Sequence, residues 1–531
     1  MKLCSTLMRL NMKKSGQLFL INNVRNFLKR EISTIFALSS GYGKCGVAVI
    51  RVSGPDAADV MKQLGSFKLL PEARKSVLRR IRDPSTNEVL DRGLVLWFPG
   101  PGSFTGEDCC EFHVHGSIAV ISAILNSLKR LPNLRLAEPG EFTKRAFYAG
   151  KLDLTAVEGL NDLINSETEF QRKQALNQLE GSLFHVYTEW KNILTKCVSN
   201  IEAYIDFGED ENIESEIFKN THKVVKDLQY LIKKHLQDGR RGERLRSGVS
   251  MTILGAPNVG KSSLLNKLCK RPAAIVSPIA GTTRDLVTVD LDIGGYPVVL
   301  TDTAGIRADT SDLIEIEGVA RAKKAASDAD LILLVLDSAH FTDWLSKNSL
   351  NALLQLKKEF PGLLAKYLKI LEINNDKSIC DNFTTYFTSD SSSTGEVRKI
   401  IMIFNKIDLI HATLLSTIKE VNDYFGTAIL PVSCKTEDGL ELLIEKVICN
   451  LNMLCGQPSV ESPCYTQLRH RMCLTECEQF LNSYLNYENE RDIDLGGHYL
   501  RLALYSLGKI TGHVSTEEIL NKIFADFCIG K

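Results

Sequence analysis

Eight residues, Gly255-Ala-Pro-Asn-Val-Gly260-Lys261-Ser262, carry the spacing of a loop that wraps phosphate. Glycine lets backbone N–H groups and the N-terminus of the following helix close around an anion. The Lys261 ammonium neutralises β- and γ-phosphate oxygens, and the Ser262 hydroxyl ligates Mg²⁺. Asn258, Val259, Gly260, Lys261, Ser262 and Ser263 are therefore the expected phosphate contacts. Such a loop needs a strand before it and a helix after it, and the apolar stretches 251–254 and 264–269 supply both.

Four further groups follow in the order a guanine nucleotide requires. Thr283, in Gly281-Thr282-Thr283-Arg284-Asp285, stands where a second Mg²⁺ ligand and γ-phosphate sensor belongs, and Asp302-Thr303-Ala304-Gly305 ends the next apolar run. These are the parts of a switch ordered by the γ-phosphate and released on hydrolysis. Asn405-Lys406-Ile407-Asp408 ends another apolar run, and the Asp408 carboxylate accepts from guanine N1–H and the exocyclic amine, donors that adenine lacks there. Ser433-Cys434-Lys435 supplies a loop over the base oxygen. GTP is thereby chosen over ATP, and its hydrolysis is the expected reaction. Two residues depart from the common small-GTPase pattern. Ile306 stands where many GTPases place a water-orienting Gln, so another group must orient the nucleophile. Asn258 has two readings: its side-chain oxygen holds a monovalent cation against the phosphates, or it only stabilises the loop.

Alternating strand and helix signals, with strands at 251–254, 298–301, 331–337, 400–404 and 428–432, predict a doubly wound α/β nucleotide domain over 248–454. Within it, 338–397 is long for one connection and ends in a polar run, which reads as a surface insertion. Upstream, 35–151 alternates short β-branched runs with Gly and Pro and one helical stretch, the pattern of a small α/β domain. Leu176, Leu179, Leu183, Val186, Trp190, Ile193, Cys197 and Ile201 recur every three or four residues, predicting one long amphipathic helix within a helical segment 152–247. Helical periodicity returns over 455–531, so the nucleotide domain reads as inserted between two halves of a helical domain.

The 531 residues suggest about three domains. Lysine plus arginine (64) equals aspartate plus glutamate (64), which excludes a global positive field, so any RNA contact is local. No apolar run approaches the length of about 18 residues that spans a bilayer. Fourteen scattered cysteines without CxxC pairs read as reduced thiols. Residues 1–34 hold seven Lys and Arg residues and no acid before Glu31, the composition of a mitochondrial transit peptide cleaved before Ile35; a basic tail of a cytosolic protein has the same composition.

Beyond the nucleotide motifs, Gly46-Val-Ala-Val-Ile-Arg51-Val-Ser-Gly54-Pro55, Ser103-Phe-Thr-Gly-Glu-Asp108, Pro139-Gly-Glu-Phe-Thr-Lys-Arg-Ala146, Lys151-Leu-Asp-Leu154 and the terminal Phe527-Cys-Ile-Gly-Lys531 resemble the MnmE (TrmE) family over nearly everything after residue 34. The resemblance implies a multidomain α/β plus all-α protein: a Ras-like P-loop GTPase domain inserted into a helical domain and preceded by a small α/β folate-binding and dimerisation domain. It implies a mitochondrial matrix GTPase that acts with an FAD-dependent partner of the MnmG family on C5 of the wobble uridine of mitochondrial tRNA. A tetrahydrofolate, in its 5,10-methylene or 5-formyl form, supplies the one-carbon unit. By the same resemblance Arg51, Glu111, Lys151 and Lys531 contact folate, with Cys528 nearby as a catalytic candidate. K⁺ falls to Asn258, Ser277, Ile279 and Thr282, and the water-orienting role to Glu315, with Glu317 as its competitor. It also implies a homodimer whose two nucleotide domains meet across K⁺.

Several of these residues have plainer readings. Arg51 and Lys151 read equally as surface charges, and Cys528 as a packing thiol. His113 and His115 alternate on a strand but lack a third metal ligand. Arg240, Arg241, Arg244 and Arg246 suit either RNA phosphate or a basic helix end. A second function class also stays open, an assembly or switch GTPase acting, for example, on mitochondrial ribosomes, with no folate chemistry.

Overall fold

The computed structural model describes residues 33–207, 214–238, 240–256, 258–269, 287–302, 325, 328–339, 399–410, 429–459, 463–486, 493–512 and 517–531. Nearly all of the basic leader and of the long insertion lies outside these residues. The chain divides into two compact units, Met1–Asn161 with Thr511–Lys531, and Asp162–Ile510.

The first unit is built on a six-stranded sheet: β1 (Thr34–Leu38), β2 (Cys45–Ser53), β3 (Val77–Arg82), β4 (Val89–Phe98), β5 (Cys109–Gly116) and β6 (Leu134–Leu136). Its order is β3-β4-β5-β2-β1-β6, antiparallel throughout except for the parallel β1·β6 pair. The period of two in β2 sends Ala48, Ile50 and Val52 into the core and leaves Arg51 on the opposite face. Helices Ala57–Gly65 and Ile118–Arg130 cover the apolar face through Met61, Leu64, Ile121 and Ile124. Ser117 starts the second of them by accepting from Val120 N at 3.2 Å.

The end of the chain completes this unit. Helix Glu517–Ala525 places Leu520 and Phe524, with Phe527, against Leu154 and Val157. The last residues of the helical segment 455–531, Thr511–Lys531, group with this unit and pack on Leu154 and Val157 of the helical segment 152–247.

In the second unit, β7 (Val249–Leu254), β8 (Val287–Ile293), β9 (Tyr296–Asp302), β10 (Leu331–Asp337), β11 (Lys399–Asn405) and β12 (Ile429–Pro431) form a sheet ordered β12-β11-β10-β7-β9-β8. Every pair is parallel except the β8·β9 hairpin. Residues 331–336 of β10 are all buried, as expected of a central parallel strand covered on both faces. Helices Ser182–Phe207, Glu214–Leu236, Leu468–Leu485 and Ile493–Thr511 share one core that includes Leu183, Tyr187, Val225, Ile232, Leu474 and Leu500. Segments from both sides of the nucleotide motifs thus bury one another, each buried Leu or Ile contributing about 2 kcal/mol.

The single long helix read from 176–201 is two helices, Glu169–Leu179 and Ser182–Phe207. Gly181, at φ 91°, takes a left-handed conformation that an α-helix cannot contain. The first helix buries Gln174, Ala175 and Gln178, leaving Leu176 and Leu179 only half-buried. Its glutamines are acceptable inside because Gln174 Nε2 donates to Cys464 O at 3.0 Å and Gln178 Oε1 accepts from the Thr466 hydroxyl at 3.0 Å.

Candidate functional site

The nucleotide motifs converge on the C-terminal edge of the second sheet, where doubly wound sheets bind ligands. The loop after β7 leads into helix Lys261–Cys269, and β9 ends on Asp302, β10 on Asp337 and β11 on Asn405. Lys261 Nζ donates to the carbonyls of Gly255 (2.8 Å) and Ala256 (2.9 Å), which holds its ammonium over the loop. Ser262 and Ser263 are exposed in the first helical turn, where a hydroxyl reaches a cation beside bound phosphate. Asn258 adopts φ 62°, a left-handed conformation that asparagine tolerates better than most side chains, so backbone geometry accounts for part of its residue type.

Asn405 ties three of these loops together. Its Nδ2 donates to Val259 O at 2.7 Å and its Oδ1 accepts from Cys434 N at 3.2 Å, all in buried surroundings. Gly260, at φ 100°, has to be glycine because a Cβ there would collide with the same Nδ2. Ser433 Oγ donates to Asp408 Oδ1 at 2.7 Å and accepts from Lys435 N and Thr436 N, which aims an exposed carboxylate at the place for the base. Lys406 pairs with Asp337 at 2.8 Å. Burial raises the Cys434 thiol above its ordinary value, so it packs neutral beside the base loop. The expected contacts at Thr283, Thr303, Ala304 and Gly305, the K⁺ candidates Ser277, Ile279 and Thr282, and Ile306, Glu315 and Glu317 lie outside the described residues.

In the first unit Arg51 and Glu111 are direct partners across β2 and β5. Arg51 Nε donates to Glu111 Oε1 at 2.9 Å, and His113 Nε2 lies 3.1 Å from Oε2. Burial favours the protonated Glu111, but the His113 hydrogen bond and the Arg51 charge outweigh it and hold the carboxyl below its usual value. The Arg51 guanidinium lies between the rings of Phe104 (5.2 Å) and Phe142 (5.7 Å), and among the described residues nothing accepts from its two terminal nitrogens. A half-buried cation between two rings, with free N–H groups, suits a planar ligand or one bearing carboxylate.

Around this pair the other motifs interlock. Ser53 Oγ lies 2.8 Å from Thr105 Oγ1 and donates to Glu107 at 2.7 Å, and Arg145 reaches Glu107 at 2.9 Å. Lys151 is exposed, its Cε within 3.7 Å of where a Cβ on Gly106 would stand. The terminal residues are pinned at the same sheet edge: Ile529 bridges Pro139, and Gly530 O accepts from Ser39 Oγ at 2.8 Å. Gly530, at φ 98°, sits so close to Leu38 O that a Cβ would collide with it. Cys528 is exposed, and the backbone of Lys531 turns back to Cys528 O at 3.3 Å. Ala37 of β1 faces Arg51 across the ladder, so the tail lies one strand from the guanidinium.

Among the other candidates, His115 pairs with Asp91 at 2.8 Å. The four arginines each meet a carboxylate: Arg240 with Glu243 (3.1 Å), Arg241 with Asp238 (3.9 Å), Arg244 with Asp330 (2.9 Å) and Arg246 with Asp162 (2.7 Å).

Comparison with known proteins supplies the family. A model described as GTP-binding protein TrmE N-terminus matches residues 34–151, and one described as MnmE helical domain matches residues 154–528. A zebrafish protein (Danio rerio) named mitochondrial 5-taurinomethyluridine-[tRNA] synthase subunit GTPB3 is 50% identical over 505 residues, 94% of this chain and 93% of its own length. The Homo sapiens protein of that name is 44% identical over 94% of this chain and 93% of its own. A bacterial tRNA modification GTPase MnmE from Parvibaculum lavamentivorans is 41% identical over 94% of this chain and all of its own. The chain belongs to the MnmE (TrmE) family. It is a GTPase, with the nucleotide frame on one unit and the TrmE-type domain on the other.

Parts of this MnmE-family chain escaped the sequence reading. Phe104, Thr105, Glu107, Phe142 and Arg145 all lie inside the motifs that carry the resemblance, so the motifs were visible but not which side chain meets which. Asp337 had a signal too, an acid ending the apolar run 331–336. Among the described residues of this MnmE relative, no helix is long and apolar enough to cross a membrane.

Proposed function

We propose that this chain is the GTP-hydrolysing component of the mitochondrial modification of tRNA wobble uridine at C5, of the taurinomethyl or carboxymethylaminomethyl type. It works in the matrix, as the names of its mitochondrial relatives support. A tetrahydrofolate, as its 5,10-methylene or 5-formyl form, brings the one-carbon unit. The observation that carries the reading is the half-buried Arg51–Glu111 pair, ringed by Phe104 and Phe142, in the domain to which the terminal Cys528–Lys531 segment is pinned. Arg51, Lys151 and Lys531 would hold the ligand's carboxylates, and Glu111 would accept from its ring N–H groups. Exposure keeps Cys528 accessible to a substrate.

On the other unit Lys261 neutralises phosphate charge, Asp408 selects guanine, and Ser262 with Thr283 holds Mg²⁺. Asn258, Ser277, Ile279 and Thr282 hold K⁺, which supplies positive charge against the phosphates, and Glu315 orients the attacking water. Hydrolysis is activated when the nucleotide domains of a homodimer meet, and an FAD-dependent protein of the MnmG family completes the reaction on tRNA.

Equilibrium binding of 5-formyltetrahydrofolate to the chain, to Arg51→Met and to a chain lacking 528–531 tests the reading. Binding by the intact chain that both changes weaken supports it. Absence of binding by the intact chain would leave a switch or assembly GTPase without folate chemistry.

A further inference from the structure

Helix Glu214–Leu236 buries one face, Thr221, Val225, Leu228 and Ile232, in the helical core. Its opposite face repeats with the same period: Lys219, Lys223, Lys226, Tyr230, Lys233 and Lys234 fall at i, i+4, i+7, i+11, i+14 and i+15, and all are exposed. Among the described residues Lys233 pairs with Glu478 at 3.1 Å, while Lys219, Lys223, Lys226 and Lys234 make no ion pair. Tyr230, in the middle of the row, is 67% exposed.

A solvated helix face needs neither feature. Solubility is served by mixed signs with Glu four residues before Lys, whereas Lys219, Lys223 and Lys226 put like charges at the spacings that repel. Asp227, exposed on the same face four residues after Lys223, is the one acid between Lys219 and Lys234; against a chain that balances 64 basic and 64 acidic residues, five lysines to one acid is a local basic excess. It contrasts with the neighbouring Arg240–Arg246 segment, whose four arginines are paired. A row of unpaired ammonium groups about 22 Å long, at 1.5 Å per residue, spans several successive phosphates of a nucleic-acid strand. An exposed aromatic ring among them offers a stacking surface for an unpaired base.

We infer that this face is a docking track for the phosphodiester backbone of a structured RNA. The inference rests on the proposed function in taking tRNA as that RNA. The lysines hold the backbone irrespective of sequence, and Tyr230 stacks on a base that the fold of the RNA leaves unpaired.

The test uses the full chain, a tRNA transcript as probe, and fluorescence anisotropy at salt concentrations from about 50 to 200 mM. Changing Lys219, Lys223, Lys226 and Lys234 to Gln should weaken binding at low salt by tenfold or more. It should also make log K against log[salt] shallower by about 3 to 4, the loss of four phosphate contacts. Tyr230→Ala should weaken binding at least fivefold with an unchanged slope, and Tyr230→Phe should restore it, since a ring stacks without its hydroxyl. GTP turnover of each variant reports that the nucleotide unit is intact. Wild-type binding with the same affinity and slope in the Lys variant would overturn the track while leaving the proposed function standing. No tRNA binding by the wild type would overturn the track, and with it the use of tRNA as a direct ligand of this chain.

Discussion

Asn405→Ala removes a side chain whose two hydrogen bonds join the phosphate loop to the base loop. The donors and acceptors it leaves behind, Val259 O and Cys434 N, belong to buried residues. An unsatisfied buried group costs about 1–3 kcal/mol, and since both depend on one side chain, about 3 kcal/mol of preference for the joined loops is lost. Nucleotide binding must then restore that arrangement, so the same 3 kcal/mol appears as a GTP Kd weaker by about 100-fold. Asn405→Asp keeps the acceptor for Cys434 N but turns a carboxylate oxygen toward Val259 O, and should be worse than Ala. Titration with a fluorescent GTP analogue, beside thermal unfolding of the same samples, measures both effects. Kd changes below threefold in both variants, with unchanged unfolding midpoints, would show that the loops keep their places without Asn405.

Three other outcomes are expected. His235 is ringed by Trp190 (5.4 Å), Tyr465 (5.5 Å) and Tyr187 (6.0 Å), and burial, reinforced by His470, lowers it to about 4 from 6.5. Because the unfolded chain takes up this proton first, stability is unaffected above pH 6.5, falls by about 1.4 kcal/mol per pH unit below it, about 2 kcal/mol at pH 5, and levels off below the folded-state value of about 4. His235→Phe should flatten that stretch of a denaturation-against-pH curve, and an unaltered slope would assign the acid sensitivity to other groups. Gly530→Ala sets a Cβ against Leu38 O from a left-handed backbone, so it should release the tail; faster removal of the last residues by carboxypeptidase with an unchanged GTP Kd is the expected signature. GTP turnover should be faster in K⁺ than in Na⁺, and Asn258→Ala should abolish the difference; equal rates of the wild type in both salts would leave Asn258 only its backbone role.

The nucleotide motifs were readable because each is a contiguous loop at a strand end, where a few residue types do chemistry that no others do. The N-terminal site was readable only as a set of motifs. Arg51 and Glu111 lie 60 residues apart and meet through a strand register that no local pattern encodes. Periodicity misread 176–201 because it weighs leucines and does not register that Gly181 reverses the backbone or that Gln174 and Gln178 find partners inside.

By itself, then, the sequence determined the choice of GTP, the strand-and-helix order of the nucleotide unit and the family, all of which depend on residue type at short spacing. Tertiary structure decided which loops Asn405 joins, that Thr511–Lys531 packs with the first unit, and which cations on helix Glu214–Leu236 pair among the described residues. Each of these is settled by groups distant in the chain competing for the same partner, and that competition is resolved only when the core has closed.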